Sequence, residues 1–123
     1  MVNKLKLFAG KKCIELQVNS ENWCQVFFHH GQSDELGADS KDVVVKRFLA
    51  ILQVEKFPDS THELEGKSYA CFIMLFEKHA SGYARQENSD IFFQFRNGEG
   101  KVIDEVVLNA DDALRWKNQL EEF

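Results

Sequence analysis

Two segments of the chain are apolar at consecutive positions instead of alternate ones. Apart from Gln94, residues 69–76 and 91–95 carry hydrophobic side chains. A strand that alternates strictly has one polar face, so a continuous apolar run predicts a strand that is covered on both sides. Eleven of the 123 residues are Phe, and most of them lie in or beside such runs. The pattern predicts a well-packed sheet and carries no signature of a particular chemistry.

The first part of the chain predicts a β-hairpin with two different faces. Residues 12–18 alternate, residues 19–21 are typical of a turn, and the following residues are strand-like again. Pairing across this turn places Leu16 opposite Cys24 and Ile14 opposite Val26. One face is then apolar. The reverse face mixes aromatic rings with amides and a carboxylate, and consists of Glu15, Gln17, Trp23, Gln25, Phe27 and His29.

Two helices are predicted. Ser40 is a suitable N-cap, and apolar residues at helical spacing follow it over residues 41–54. Pro58 cannot continue a helix, so we expect this helix to end before it. Asn109 caps the second helix, in which Trp116 is expected to pack on the sheet.

The other elements follow from apolar runs and turn residues. Residues 31–39 and 78–89 are polar and contain Gly, and we expect them to be loops. Asn97-Gly98-Glu99-Gly100 is the strongest turn signal in the chain and predicts a second hairpin. The remaining predicted strands are residues 5–8, 67–77, 91–96 and 101–108.

The predicted order of elements is β-β-β-α-β-β-β-α. Since no β-α crossover repeats, a doubly wound parallel sheet is not expected. We predict an α+β fold in which an antiparallel or mixed curved sheet of about six strands carries two helices packed on one face. The length fits a single domain over residues 1–123.

Charge and cysteine content narrow the classes of function. Twenty acidic against 15 basic side chains give a net charge of −5, which argues against general nucleic-acid binding because that needs a basic surface. The three cysteines are widely spaced and form no C-x-x-C pair, so we expect reduced thiols and a cytoplasmic location. No apolar stretch is long enough to cross a bilayer, and no membrane contact is expected.

The chain shows no recognisable catalytic or metal-binding motif. It contains no G-x-S-x-G nucleophile motif. His29 and His30 are adjacent in a predicted strand and must point to opposite faces, and the four histidines show no metal-ligand spacing. We expect no catalytic residue, no metal and no cofactor.

We therefore predict a soluble, non-catalytic binding or interaction module. One candidate surface is the mixed sheet face with Trp23, Gln25, Phe27 and His29. Trp23 and Phe27 could also stack on single-stranded nucleic acid, but only Lys11, near the end of that face, supplies a positive charge. A homodimer is another expected way to cover such aromatic rings.

The second candidate surface is the acidic segment that leads into the first helix. Asp34, Glu35 and Asp39 could recognise a basic protein partner, because complementary charge steers association and selects partners.

The alternative from another class is a small-molecule-binding protein or enzyme. Small α+β folds with a curved sheet can hold an apolar cavity with a few polar groups in its wall. Such a cavity would be lined by Phe28, Phe72, Phe76 and Phe93, with Glu77 or His29 as its polar group.

Overall fold

The computed structural model describes residues 3–53 and 62–123. Within them, nine β-strands and two α-helices follow the order β-β-β-β-α-β-β-β-β-β-α. The strands are β1 Asn3–Ala9, β2 Lys12–Val18, β3 Trp23–His29, β4 Ser33–Ser40, β5 His62–Leu64, β6 Lys67–Met74, β7 Ser81–Glu87, β8 Asp90–Arg96 and β9 Val102–Leu108. The helices are α1 Lys41–Gln53 and α2 Ala110–Glu122.

The predicted α+β class is confirmed, but the prediction of one sheet with about six strands is wrong. The strands form a four-stranded sheet, β1-β2-β3-β4, and a five-stranded sheet, β5-β6-β7-β8-β9, and every pairing within them is antiparallel. The two segments predicted as loops contain the strands β4 and β7. The sequence analysis missed these strands because both segments are mostly polar. In β4, for example, only the short stretch Leu36, Gly37 and Ala38 is buried.

The predicted caps of both helices are confirmed. Ser40 Oγ accepts a hydrogen bond from the Val43 amide at 3.3 Å, and Asn109 Oδ1 accepts one from the Asp112 amide at 2.8 Å. Each side chain satisfies an amide that the first helical turn leaves without a partner. The predicted stop at Pro58 lies outside the described residues. Neither helix in the described part of the chain is long and apolar enough to cross a membrane.

Aromatic rings form the centre of the core. Phe93 of β8 stacks on Trp116 of α2, with ring centroids 5.8 Å apart. Phe72 of β6 meets Phe93 edge to face at 5.1 Å, and Phe48 of α1 meets Phe72 in the same way at 5.2 Å. These are the geometries that aromatic pairs prefer. Trp116 therefore packs on a sheet as predicted, and it is fully buried.

The first sheet joins the same core through the apolar face of its hairpin. Phe28 contacts Phe95 of the second sheet, with centroids 5.2 Å apart. The predicted register of the β2–β3 hairpin is wrong by two residues, since Leu16 pairs with Val26 and Ile14 with Phe28. The predicted faces are nevertheless correct, because a shift of two residues keeps every side chain on its own side.

Side chains occupy backbone carbonyls on one edge strand of each sheet. The Phe8 carbonyl on β1 accepts hydrogen bonds from Trp116 Nε1, at 2.8 Å, and from Arg115. On β9, the Glu105 carbonyl accepts a hydrogen bond from Lys12 Nζ at 2.9 Å. Occupied edge carbonyls leave less of a template for another strand to pair with.

The two sheets are linked at a close backbone contact. Ala38 and Phe76 exchange two amide–carbonyl hydrogen bonds, of 3.2 and 3.0 Å. The neighbouring Gly37 has φ +137°, and a Cβ atom there would lie 2.3 Å from the Phe76 carbonyl oxygen and 2.8 Å from Leu75 Cβ. Only glycine fits at this position.

We predict that Gly37→Ala strongly destabilises the protein. Gly31→Ala is the matched control, because Gly31 also has a positive φ, +92°, but has nothing within 4 Å of its Cβ position. Both variants carry the backbone strain, and only Gly37→Ala adds a clash. The loss in the free energy of unfolding should be about 2 kcal/mol larger for Gly37→Ala, from the cost of overpacking. Urea denaturation measures both losses; equal losses would contradict the close approach.

Candidate functional site

The outward side of the four-stranded sheet is the candidate site, and we call it the first-sheet outer face. Burial alternates along β3, where Cys24, Val26 and Phe28 are buried and the residues between them are partly exposed. The mixed face predicted from the sequence therefore points away from the core. Its side chains are Lys4, Lys6, Phe8, Cys13, Glu15, Gln17, Trp23, Gln25, Phe27, His29, Ser33 and Glu35, with Phe76 and Lys78 beside the β4 edge.

Four aromatic side chains lie on or beside this face. Trp23 stacks on Phe76, with ring centroids 6.4 Å apart and an interplanar angle of 20°. Phe8 is 49% exposed and Phe76 is 57% exposed, whereas Trp23 and Phe27 are partly exposed. Sequence reasoning missed Phe8 and assigned Phe76 to a cavity, because their positions on this face depend on strand pairing.

A chain of hydrogen-bonded polar groups crosses the face. His29 Nε2 lies 2.7 Å from Glu15 Oε1, and His29 Nδ1 lies 2.7 Å from Ser33 Oγ. Gln17 donates a hydrogen bond of 2.9 Å to the other carboxylate oxygen of Glu15. Burial opposes ionisation of Glu15, but the hydrogen bonds from Gln17 and His29 outweigh it and hold its pKa below the usual value. These bonds hold Glu15 and His29 in fixed positions.

The order Ser33–His29–Glu15 has the contacts of a nucleophile, a base and an orienting carboxylate. Ser33, however, lies directly opposite His29 in the antiparallel β3–β4 pair, and side chains in opposite positions of a sheet are neighbours whatever their function. Acyl transfer also needs hydrogen-bond donors aimed at a developing oxyanion. We interpret the three residues as an ordered polar row.

The face also carries lysines that the sequence reasoning did not place there. In the β1–β2 register, Lys6 lies opposite Glu15 and Lys4 opposite Gln17. Lys78 Nζ lies 4.0 Å from Glu35 at the other side of the sheet. The expectation that only Lys11 brings positive charge near this face is therefore wrong. The alternation of Lys and Leu along β1 was a usable signal, but the face it joins depends on pairing with β2.

The acidic segment does not form one surface. Asp34 Oδ2 lies 2.6 Å from His30 Nε2, whereas Glu35 accepts a hydrogen bond of 3.2 Å from Gln25 on the first-sheet outer face. Asp39 lies elsewhere, in the wall of a surface pocket of about 240 Å³ beside α1 and β6. The three carboxylates therefore lie in three different environments.

His29 and His30 point to opposite sides of the sheet, as predicted. His30 links the two sheets, since its ring lies between Asp34 of β4 and Asp104 of β9, at 2.6 and 3.3 Å. Lys12 Nζ lies 3.1 Å from the same carboxylate of Asp104. The hydrogen bond with His30 is the main cause that holds the pKa of Asp34 below its usual value.

The residues of the predicted cavity do not line a common space. Phe28 and Phe93 are fully buried, and Phe72 is almost so, within the packed core. Phe76 and Glu77 are exposed, and Phe76 lies against Trp23 beside the first-sheet outer face. An open groove of about 570 Å³ runs along α1 and includes none of these five residues.

The outward side of the second sheet differs from that of the first. The Arg85 guanidinium lies 3.7 Å from the centroid of the Phe92 ring and covers it. Arg85 is paired with Glu87, and Arg96 is paired with Glu65 at 2.9 Å. Both arginines are thus already engaged by carboxylates of the same chain.

The metal-ligating and nucleophilic side chains of the described residues provide no further candidate site. No group of three or more His, Cys, Asp or Glu side chains within residues 3–53 and 62–123 could hold a metal ion. The three cysteines are free. Burial raises the pKa of all three thiols, that of Cys24 to about 12, so their thiolate forms are disfavoured at neutral pH.

Comparison with known proteins assigns no family to this chain. No family model matches it, and no curated protein matches it. The function is therefore argued from the surface itself.

We predict that the His30–Asp34 contact makes folding stability sensitive to acid. Because the folded-state pKa of Asp34 lies below its usual value of 3.8, its contribution is present above the unfolded-state pKa and is lost as the pH falls through the folded-state pKa. Asp34→Asn should flatten the decline in the free energy of unfolding below about pH 4. Urea denaturation at a series of pH values measures it.

Glu99→Gln is the control for this prediction, since Glu99 is exposed in the β8–β9 turn and has no ion pair within the described residues. It should keep the decline of the parent protein. An Asp34→Asn variant with an unchanged decline would show that the contact contributes nothing to acid sensitivity.

Proposed function

We propose that the protein is a non-catalytic binding module and that the first-sheet outer face is its binding surface. One observation carries the proposal: this face combines exposed aromatic rings with polar side chains that hydrogen bonds already hold in place. Large aromatic side chains supply most of the energy of many interfaces. Groups that are ordered before binding lose less entropy when a partner arrives.

The acidic segment supports a weaker proposal. A basic protein partner would need several carboxylates on one surface. Asp34 and Glu35 are engaged by His30 and Gln25, respectively, and Asp39 lies apart from both. We therefore place the binding surface on the first-sheet outer face.

A reducing, cytoplasmic location is part of the proposal. It is supported by three cysteines that are free, two of them buried. Proteins with this cysteine usage are typical of compartments that keep thiols reduced.

We predict that Trp23→Ala with Phe27→Ala abolishes partner binding. The parent protein and the double variant would each be immobilised and exposed to an extract of the source cells, and the protein and nucleic acid that each retains would be quantified. Loss of two aromatic anchors, at about 2 kcal/mol or more each, should reduce retention of the specific partner by more than about tenfold. Circular dichroism with urea denaturation would show that the variant is folded.

Leu114→Ala is the matched control, because Leu114 is 56% exposed on α2, away from the first-sheet outer face. It should retain what the parent protein retains. Equal retention by the parent and the double variant would refute the proposed surface. Sedimentation of the same three proteins tests a homodimer, which the double variant, but not Leu114→Ala, should lose.

A further inference from the structure

We infer that the first-sheet outer face binds single-stranded nucleic acid, with bases stacked on its aromatic rings and phosphates beside its lysines. This inference rests on the proposed binding surface and specifies its ligand. Non-specific sites for single strands combine these two elements, stacking platforms and a track of positive charge.

The charge of the face is opposite in sign to that of the whole chain. Lys4 and Lys6 are exposed and form no ion pair within the described residues. Lys78, the third lysine, forms an ion pair with Glu35 at 4.0 Å. Among the described residues of this face, the carboxylates are Glu15 and Glu35, and both accept hydrogen bonds from neighbouring glutamines. Three lysines against two carboxylates leave an excess of one positive charge, carried by the exposed Lys4 and Lys6, although the chain carries −5 overall.

The aromatic rings are spread over the face, so one single strand can reach more than one of them. Trp23 and Phe27 lie four residues apart on one strand and on one side of it, so their backbones are about 13 Å apart at the usual rise of a strand. Phe8 and Phe76 extend the aromatic area on either side of β3. A base can stack on each ring whatever its identity, because every base has a π-face.

The same features disfavour double-stranded nucleic acid. The bases of a duplex are stacked on one another and cannot lie on side chains of a sheet, whereas those of a single strand can be splayed out. The lysines are also few. When they neutralise two to three phosphates of a single strand, the logarithm of the binding constant falls with the logarithm of the salt concentration with a slope of only about −1.4 to −2. The acidic remainder of the chain opposes a larger contact with a duplex.

The experiment uses the full chain and a fluorescently labelled 12-nucleotide single strand, either oligo-dT or oligo-U, with anisotropy as the readout. Trp23→Ala should weaken binding by about 5- to 150-fold, the loss expected for one stacked base. Lys4→Gln with Lys6→Gln should reduce the salt slope by about 1.4. Lys46→Gln with Lys101→Gln is the matched control, because both lysines are exposed outside this face, and it should leave affinity and slope unchanged.

Intrinsic fluorescence gives a second readout. Trp116 is fully buried, whereas Trp23 is partly exposed, so acrylamide reaches Trp23 preferentially. Bound oligonucleotide should protect Trp23 from this quencher. Inorganic polyphosphate, which has phosphates and no bases, should neither protect it nor compete effectively.

Three results would overturn the inference: no binding of either oligonucleotide at about 50 mM salt, equal binding of a 12-base-pair duplex, or equal loss with both lysine pairs. Capture of a protein that depends on Trp23 and Phe27, without oligonucleotide binding, would overturn this inference and leave the proposed binding surface standing. Urea denaturation of each variant would separate lost binding from lost folding.

Discussion

The packing of aromatic rings between the sheets and helices is the interaction on which the rest of the structure depends. Phe48, Phe72, Phe93 and Trp116 come from α1, β6, β8 and α2, and their centroids lie between 5.1 and 6.4 Å apart. Each ring completes the surroundings of the next, so removal of one leaves a cavity among the others. Because both sheets turn their apolar sides toward this cluster, their opposite sides are available for polar side chains.

The outward sides of the two sheets carry different side-chain contacts, and this difference bears on function. On the second sheet, Arg85 covers Phe92 and pairs with Glu87, so aromatic ring and cation satisfy each other within the chain. On the first sheet, Lys4 and Lys6 are exposed next to the polar row of Glu15, His29 and Ser33. A surface whose groups are satisfied internally gains little from a ligand, whereas exposed rings and lysines gain from stacking and charge neutralisation.

Two sets of contacts join the first sheet to the second. The Ala38–Phe76 pair joins the sheets at one side, and it requires glycine at position 37. His30 joins them at another through Asp34 and Asp104. A sheet that is held in this way can present side chains in fixed positions, which lowers the entropic cost of binding.

The sequence alone determined the α+β class, both helix caps, the buried Trp116 and the membership of each face of the β2–β3 hairpin. Those features follow from local spacing, because side chains alternate along a strand and recur every 3.6 residues along a helix. Pairing between distant segments decided the rest. It divided the strands into two sheets and made strands of the polar segments β4 and β7. It also set a hairpin register two residues away from the predicted one and placed Asp34, Glu35 and Asp39 in three different environments. It also brought Lys4 and Lys6 next to Gln17 and Glu15 on the first-sheet outer face. The alternation of Lys and Leu separates the two kinds of side chain along β1, but only the pairing with β2 decides which face of which sheet the lysines join.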